Sequence, residues 1–270
     1  MIGVDALRCA LVISVEASLG AATRWIGGRV RGCQLLFLAL VVASIFDRAY
    51  GMGGDGLAGG HEPYCVVFLR PYAGRQPIGK EDRERIMAAH MANMLKMADS
   101  GIMVAAGPMD DNPTTISGIF VFEGISLGDA QELAARDPTV VAKRNTVDVH
   151  LWRGPTGIGD KYFRQKREHP DSKDTMAAHV FCILKCGTPS VNPFPASKAH
   201  KDYLDTLKAS GVLAAAGPAQ GDPEIAGIVV FKAGALGEAK RSLGADPDVA
   251  SGRLLVEYHL WWCADGVLPW

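Results

Sequence analysis

Residues 90–108 read HMANMLKMADSGIMVAAGP, and residues 200–218 read HKDYLDTLKASGVLAAAGP. Each stretch sets a His ten residues before Ser-Gly and closes on Ala-Ala-Gly-Pro, and 7 of the 19 aligned positions are identical. The offset is 110 residues here and 109 downstream. There Gly118/Gly227, Phe122/Phe231, Asp137-Pro138/Asp246-Pro247 and His150-Leu151-Trp152/His259-Leu260-Trp261 keep the match. Chance does not hold register over so many uncommon residues, so one small module is present twice.

The first copy reads outward from this stretch as β-α-β-β-α-β. Residues 64–70 (YCVVFLR) are β-branched and aromatic, a strand. A Pro/Gly-rich loop at 71–79 leads into a helix over 80–100, with Glu81, Asp82 and Glu84 near its start and Gly101 as its stop. Strands follow at 102–106 and 116–122, separated by a turn at 110–114. A helix over 126–136, capped by Ser126, ends at Asp137-Pro138, and a strand at 145–153 completes the unit. The same order recurs as strand 179–186, helix 195–210, strands 212–216 and 225–231, helix 235–245 and strand 254–261. The fold class is therefore α+β, two tandem ferredoxin-like βαββαβ modules. The helices of such a module cover one sheet face. Two modules in one chain can bury their bare faces together as an intrachain α+β barrel. The expected domains are a leader and Gly-rich linker over 1–60, a first module over 61–153, a connector over 154–177 and a second module over 178–264. The connector mixes both charge signs between turn residues and reads as solvated.

The chain has 270 residues, 48% hydrophobic and 21% charged, with formal net charge -1. That suits two domains with real cores, and no basic excess points to nucleic acid. Residues 35–46 (LLFLALVVASIF) are uncharged and follow Arg24, Arg29 and Arg31, and the small residues Ala43 and Ser44 at the end of the run and Ala49 after it are candidate cleavage-site positions. This is the pattern of a secretory signal and implies a periplasmic or secreted protein. A run of this length falls short of the roughly 20 residues that span a bilayer. A buried helix or an uncleaved anchor are the alternatives, and a true start near Val30 would explain the long basic flank. Removing the leader removes Cys9 and Cys33 and leaves Cys65, Cys182, Cys186 and Cys263. Cys182 and Cys186 lie about 13 Å apart along one strand, too far to bridge. Any disulfide must pair elsewhere, for example Cys182 with Cys263. No Cys/His cluster has zinc spacing, so no metal is expected.

Four positions stand out as candidate acid–base groups. His90 lies with Met94 and Met97, and His200 with Tyr203, Leu204 and Leu207, at helical spacings that set both imidazoles on or beside a packed face. Asp137 and Asp246 could fix their tautomers; equally, Asp-Pro could serve only as a helix stop bonded to local backbone. Asp148-His150-Trp152 and Glu257-His259-Trp261 each share one strand face by period 2, with Val147-Val149-Leu151 and Val256-Tyr258-Leu260 opposite. The acid-His-Trp faces could wall a small-molecule pocket or be half-exposed cross-strand pairs. Arg70 and Lys185 end the two first strands and could hold an anionic group or be solvated. Met87, Met91, Met94 and Met97 read as core filler.

The ordered set of a helical His, Gly and Gly-Pro around the second strand, and Asp-Pro after the second helix resembles the YCII-related family of dimeric α+β barrel proteins. The resemblance covers residues 64–153 and 179–262. It implies that His90 with Asp137, and His200 with Asp246, form catalytic pairs in a cleft. Where that family usually has an aromatic after Asp-Pro, this chain has Thr139 and Asp248. Two functions are open. One is an enzyme whose His-Asp pair isomerises a small cyclic or carbonyl-bearing substrate or eliminates from it, as in dehydrohalogenation. The other is an exported binding protein that holds a small ligand without chemistry. No dinucleotide or Walker glycine pattern is present, no motif supports haem or flavin, and no cofactor is expected. The duplicated chain is expected to be a monomeric pseudo-dimer or a homodimer, with no membrane contact beyond the leader.

Overall fold

The computed structural model describes residues 60–111, 115–187, 196–232 and 236–270. The signal-like run, the Gly-rich linker, most of the turn at 110–114, and the expected starts of the helices at 195 and 235 lie outside the described residues. The fold below belongs to the unit Gly56–Trp270.

Its first module runs β1 (His61–Pro71), α1 (Lys80–Asp99), β2 (Met103–Pro108), β3 (Gly118–Glu123), α2 (Leu127–Ala135), α3 (Pro138–Val141) and β4 (Asn145–Pro155). After α4 (Asp160–Glu168), the second module repeats it as β5 (Met176–Cys186), α5 (Lys198–Ala209), β6 (Leu213–Pro218), β7 (Ile225–Phe231), α6 (Leu236–Gly244), α7 (Pro247–Ala250) and β8 (Leu254–Ala264). Each module builds a four-stranded antiparallel sheet, in the orders β2-β3-β1-β4 and β6-β7-β5-β8. One irregularity is duplicated as well. The register slips between Met103 and Ala105 in β2, and between Leu213 and Ala215 in β6.

Alternation along the strands decides what each face meets. Tyr64, Val66 and Phe68 of β1 and Phe181 and Ile183 of β5 join Trp152 and Trp261 in one core between the sheets. Cys65, Val67 and Leu69 turn the other way, to Met97 of α1 and Ala130 and Ala134 of α2, with Val147, Val149 and Leu151 beside them. Val180, Cys182 and Leu184 do the same in the second module.

The two sheets close into a barrel because their edges meet. Met109 bridges Trp261, and Trp152 bridges Ala219. Asp110 N donates to Leu260 O at 2.8 Å, and Gln220 N to Leu151 O at 2.8 Å. The duplicated glycines of Ala-Ala-Gly-Pro sit at these seams. A Cβ on Gly107 would lie 1.8 Å from Trp262 O, and one on Gly217 1.9 Å from Arg153 O. Only glycine lets the neighbouring backbone come that near.

Several expectations need correction. The connector is partly structured: Ile158 is buried, α4 forms, and Tyr162 and Phe163 pack on the core between the sheets. Its abundant charge had masked these apolar anchors. Asp-Pro does more than stop a helix, since Asp137 and Asp246 cap the short helices α3 and α7 with Pro at their starts. Met87 and Met91 are exposed, not core; Met97 is buried and Met94 packs against the same core. Cys182 and Cys263 are free thiols packed on opposite faces of the second sheet, so they cannot pair.

Candidate functional site

The helix α1 passes over the amino terminus of α3, and this crossing brings His90 to Asp137. Asp137 has no exposed surface. Its Oδ1 accepts from Thr139 N at 2.9 Å and from Thr139 Oγ1 at 2.6 Å. Its Oδ2 accepts from Asn93 Nδ2 at 3.1 Å and lies 2.8 Å from His90 Nδ1. One carboxylate thus serves as helix cap and as imidazole partner, and the two readings of Asp-Pro are both realised. Burial pushes the Asp137 carboxyl up, but the bonds from His90 and Thr139 outweigh it and hold it below the ordinary range. With the carboxylate ionised, Nδ1 carries the proton and donates it, leaving Nε2 as the basic nitrogen. Nε2 has no hydrogen-bond partner among the described residues. The Phe120 ring flanks the imidazole, centroids 5.9 Å apart.

The second module repeats the pair: His200 Nδ1 lies 2.7 Å from Asp246 Oδ2. Asp246 Oδ1 accepts from Asp248 N at 2.9 Å and Val249 N at 3.3 Å. Thr139 and Asp248, the residues that stand where an aromatic was expected, therefore take on local work. Thr139 adds a hydroxyl to Asp137. Asp248 accepts from Ser197 N at 2.9 Å and so ties α7 to the start of α5. The two imidazoles differ in exposure, 13% for the His90 side chain and 5% for His200.

The acid-His-Trp faces are turned inward, as period 2 predicts, and their indoles pack in the core between the sheets. Trp152 and Trp261 are core residues, and Trp152 Nε1 donates to Gly217 O at 2.9 Å across a seam. His150 Nδ1 bonds Asp222, which the β6–β7 turn of the other module delivers. Its Nε2 lies 3.0 Å from Asp148 Oδ1, off the N–H direction, so that contact is electrostatic. His259 repeats the arrangement at the other seam. Its Nδ1 lies 2.5 Å from Asp111 of the β2–β3 turn, and its Nε2 lies 3.1 Å from Glu257 Oε1. Arg70 Nε bonds Asp148 at 2.8 Å, and Lys185 pairs with Glu257. Arg70 and Lys185 are therefore paired with these acids. His150 first, with Arg70, holds Asp148 down to about 2 against burial. Burial pulls the His150 imidazole down, but Asp148 and Asp222 reverse this and leave it raised. With Asp222 bonded to Nδ1 and Asp148 beside Nε2, the His150 imidazole favours its charged form and acts as a clamp across the seam.

Asp111 and Asp222 were the functional residues that sequence reading passed over. Their signal was present, an acid in each matching turn. They stand 111 residues apart, however, off both the 110 and 109 offsets, because the alignment slips within this turn. Among the described residues, no group of three or more His, Cys, Asp or Glu could hold a metal ion, and no helix is long and apolar enough to cross a membrane.

Comparison with known proteins places the chain in a family. A chlorite dismutase variant from Candidatus Nitrospira defluvii is similar in structure at TM-score 0.47 and 11% identity, over 78% of this chain and 93% of that one. A proposed monooxygenase from Lactobacillus acidophilus NCFM is similar at TM-score 0.39 and 13% identity, over 74% and 93%. No curated protein matches the chain in sequence. The YCII-related domain matches twice, over residues 66–153 and 191–261, more than half of the chain. The protein belongs to the YCII-related family and carries two tandem copies of its domain.

Proposed function

We propose that the chain is a small-molecule enzyme in which His90, oriented by Asp137, moves a proton on a small cyclic or carbonyl-bearing substrate. The observation that carries this reading is the 2.8 Å contact between His90 Nδ1 and a fully buried Asp137, with Nε2 left unbonded. Nε2 would take the proton from a carbon next to a carbonyl, and the C–H electron pair would pass into the enolate. Returning the proton to a different carbon gives an isomer; expelling a halide with its electron pair completes an elimination. Asp137 stabilises the imidazolium formed in between. Such acid–base help contributes about 10²–10⁴ in rate. His200 with Asp246 offers the same chemistry from a more enclosed ring. The leader pattern adds the proposal that the enzyme works outside the cytoplasm.

The test is hydrogen–deuterium exchange. A panel of cyclic ketones, enones and halogenated cyclic compounds is incubated with the protein in D₂O, and loss of the acidic C–H signal is followed by proton NMR. Exchange that drops about 10²-fold or more in His90→Gln, and also falls in Asp137→Asn, is expected. Exchange absent across the panel, or unchanged in both variants, leaves the binding-protein reading in possession.

A further inference from the structure

The first helix carries a row of side chains that no element among the described residues covers. Met87, Met91 and Leu95 follow one another at i, i+4 and i+8, and are 51%, 48% and 62% exposed. They are three of the eight large hydrophobics exposed among the described residues, and they fall in one line on one helix. Ala88 and Ala92, also exposed, lie beside the line and leave shallow gaps. Scattered apolar side chains on a surface are ordinary; a contiguous row is not.

The duplication supplies an internal control. At the 110-residue offset, the matching positions are Ser197, which caps α5, and Lys201 and Asp205 within it. The fold of the module therefore does not require apolar residues there. Barrel closure does not use them either, because the seams are made by β2 with β8 and β4 with β6.

The ends of the row indicate what fits it. The same i+4 line begins at Arg83 and ends at Asp99, both exposed. Turned antiparallel about Met91, a second α1 sets its Met87 against Leu95 and its Asp99 against Arg83, and the reverse contacts follow from the two-fold axis. Asp99 sits at the helix end where a carboxylate is disfavoured by the helix dipole. A partner's Arg83 beside it supplies the missing compensation. The row is thus self-complementary in both shape and charge. Rows at i+4 spacing are also the ridges by which two helices interdigitate.

We infer that α1 is a homodimerisation surface, on which a second copy of this chain packs its own α1 antiparallel across Met87, Met91 and Leu95. One helix pair is small beside a standard interface of about 1,200–2,000 Å². The dimer therefore belongs to the weak class, with a dissociation constant of about 10–100 μM.

Sedimentation equilibrium of the full chain over about 1–300 μM tests this, because a dimer of that class crosses from mostly free to mostly paired in the range. The mass should rise from one chain to two across the series. Met87→Glu and Leu95→Glu should each weaken association at least about tenfold while leaving the circular dichroism unchanged. Both positions are exposed, so the fold tolerates them. Arg83→Asp and Asp99→Arg should each weaken it, and the double variant should restore it. Both single changes suit the helix dipole, so a loss cannot be blamed on unfolding. A chain that stays monomeric at about 300 μM overturns the inference. So does a dimer that ignores all four substitutions, or a zero-length cross-link that joins α1 to the amino-terminal segment of its own chain.

Discussion

Replacing Gly217 by Ala should open the barrel at one seam, and the structure sets how far. The new Cβ would sit 1.9 Å from Arg153 O, 2.9 Å from its carbonyl carbon and 3.2 Å from Trp152 Nε1. The nearest two are backbone atoms of β4, so no side-chain rotation relieves the clash. The strands must part by about 1 Å before the contact reaches the shortest distance real Cβ atoms show. Two of the bonds that span this seam, Gln220 N to Leu151 O at 2.8 Å and Trp152 Nε1 to Gly217 O at 2.9 Å, lie beside Gly217. Stretched that much, they leave the hydrogen-bonding range. Overpacking costs about 1–3 kcal/mol and each of the two lost bonds about 0.5–1.5, so the total is about 2–6 kcal/mol. At an m-value near 3 kcal/mol/M this lowers the urea midpoint by about 1 M. Gly244→Ala is the control, because a Cβ there meets nothing within 4 Å and its backbone is not left-handed. An alanine there should be neutral or slightly stabilising. Equilibrium unfolding of both variants decides the matter. A Gly217→Ala protein with the wild-type midpoint, or one no weaker than Gly244→Ala, refutes the seam as described.

Other consequences follow from the charged groups. Asp137→Asn should cost about 2–4 kcal/mol at neutral pH, because it weakens buried bonds from His90 and Thr139. Asp137 is held low, so its contribution is whole above about pH 4 and is lost as pH falls. Urea midpoints of the two proteins should therefore converge in acid. His150 is raised, so its contribution is present below about pH 6.5 and is lost as pH climbs through its folded value. The deficit of Asp222→Asn should be largest in mild acid and narrow on the alkaline side; a deficit that widens above pH 8 contradicts the clamp. Burial pushes the Cys182 thiol up strongly and Cys263 to about 12. Peptide mapping after brief alkylation at pH 8 should find Cys186 modified ahead of Cys65, Cys182 and Cys263.

How much of this was written in the chain depends on the range of the physics. The module order was legible because strands and helices are set by local periodicity, and because the duplication repeats the pattern. The pairing of His90 with Asp137 was reachable through the recurrence of both residues. The role of the Gly-Pro glycines was not, since it depends on a backbone from the other module passing within 2 Å of a missing side chain. Asp111 and Asp222 escaped for the same reason. No period within one element reports what the opposite turn will meet. The fate of Arg70 and Lys185 was open for a related cause: a base at a strand end is free or paired according to a neighbouring strand's register. The exposed row on α1 misled because its apolar residues carry the same spacing as a buried face.

The central claim is that Asp137 and Asp246 fix the proton of their imidazoles on Nδ1 and leave Nε2 basic. Long-range ¹⁵N–¹H correlation of the histidine rings reads this directly, at a pH of about 8.5 where an ordinary imidazole is neutral. The account predicts the Nδ1–H tautomer for His90 and His200 in the wild-type protein, and its loss for His90 in Asp137→Asn and for His200 in Asp246→Asn. An Nε2–H tautomer at His90 and His200 in the wild type, or tautomers indifferent to both substitutions, would contradict it.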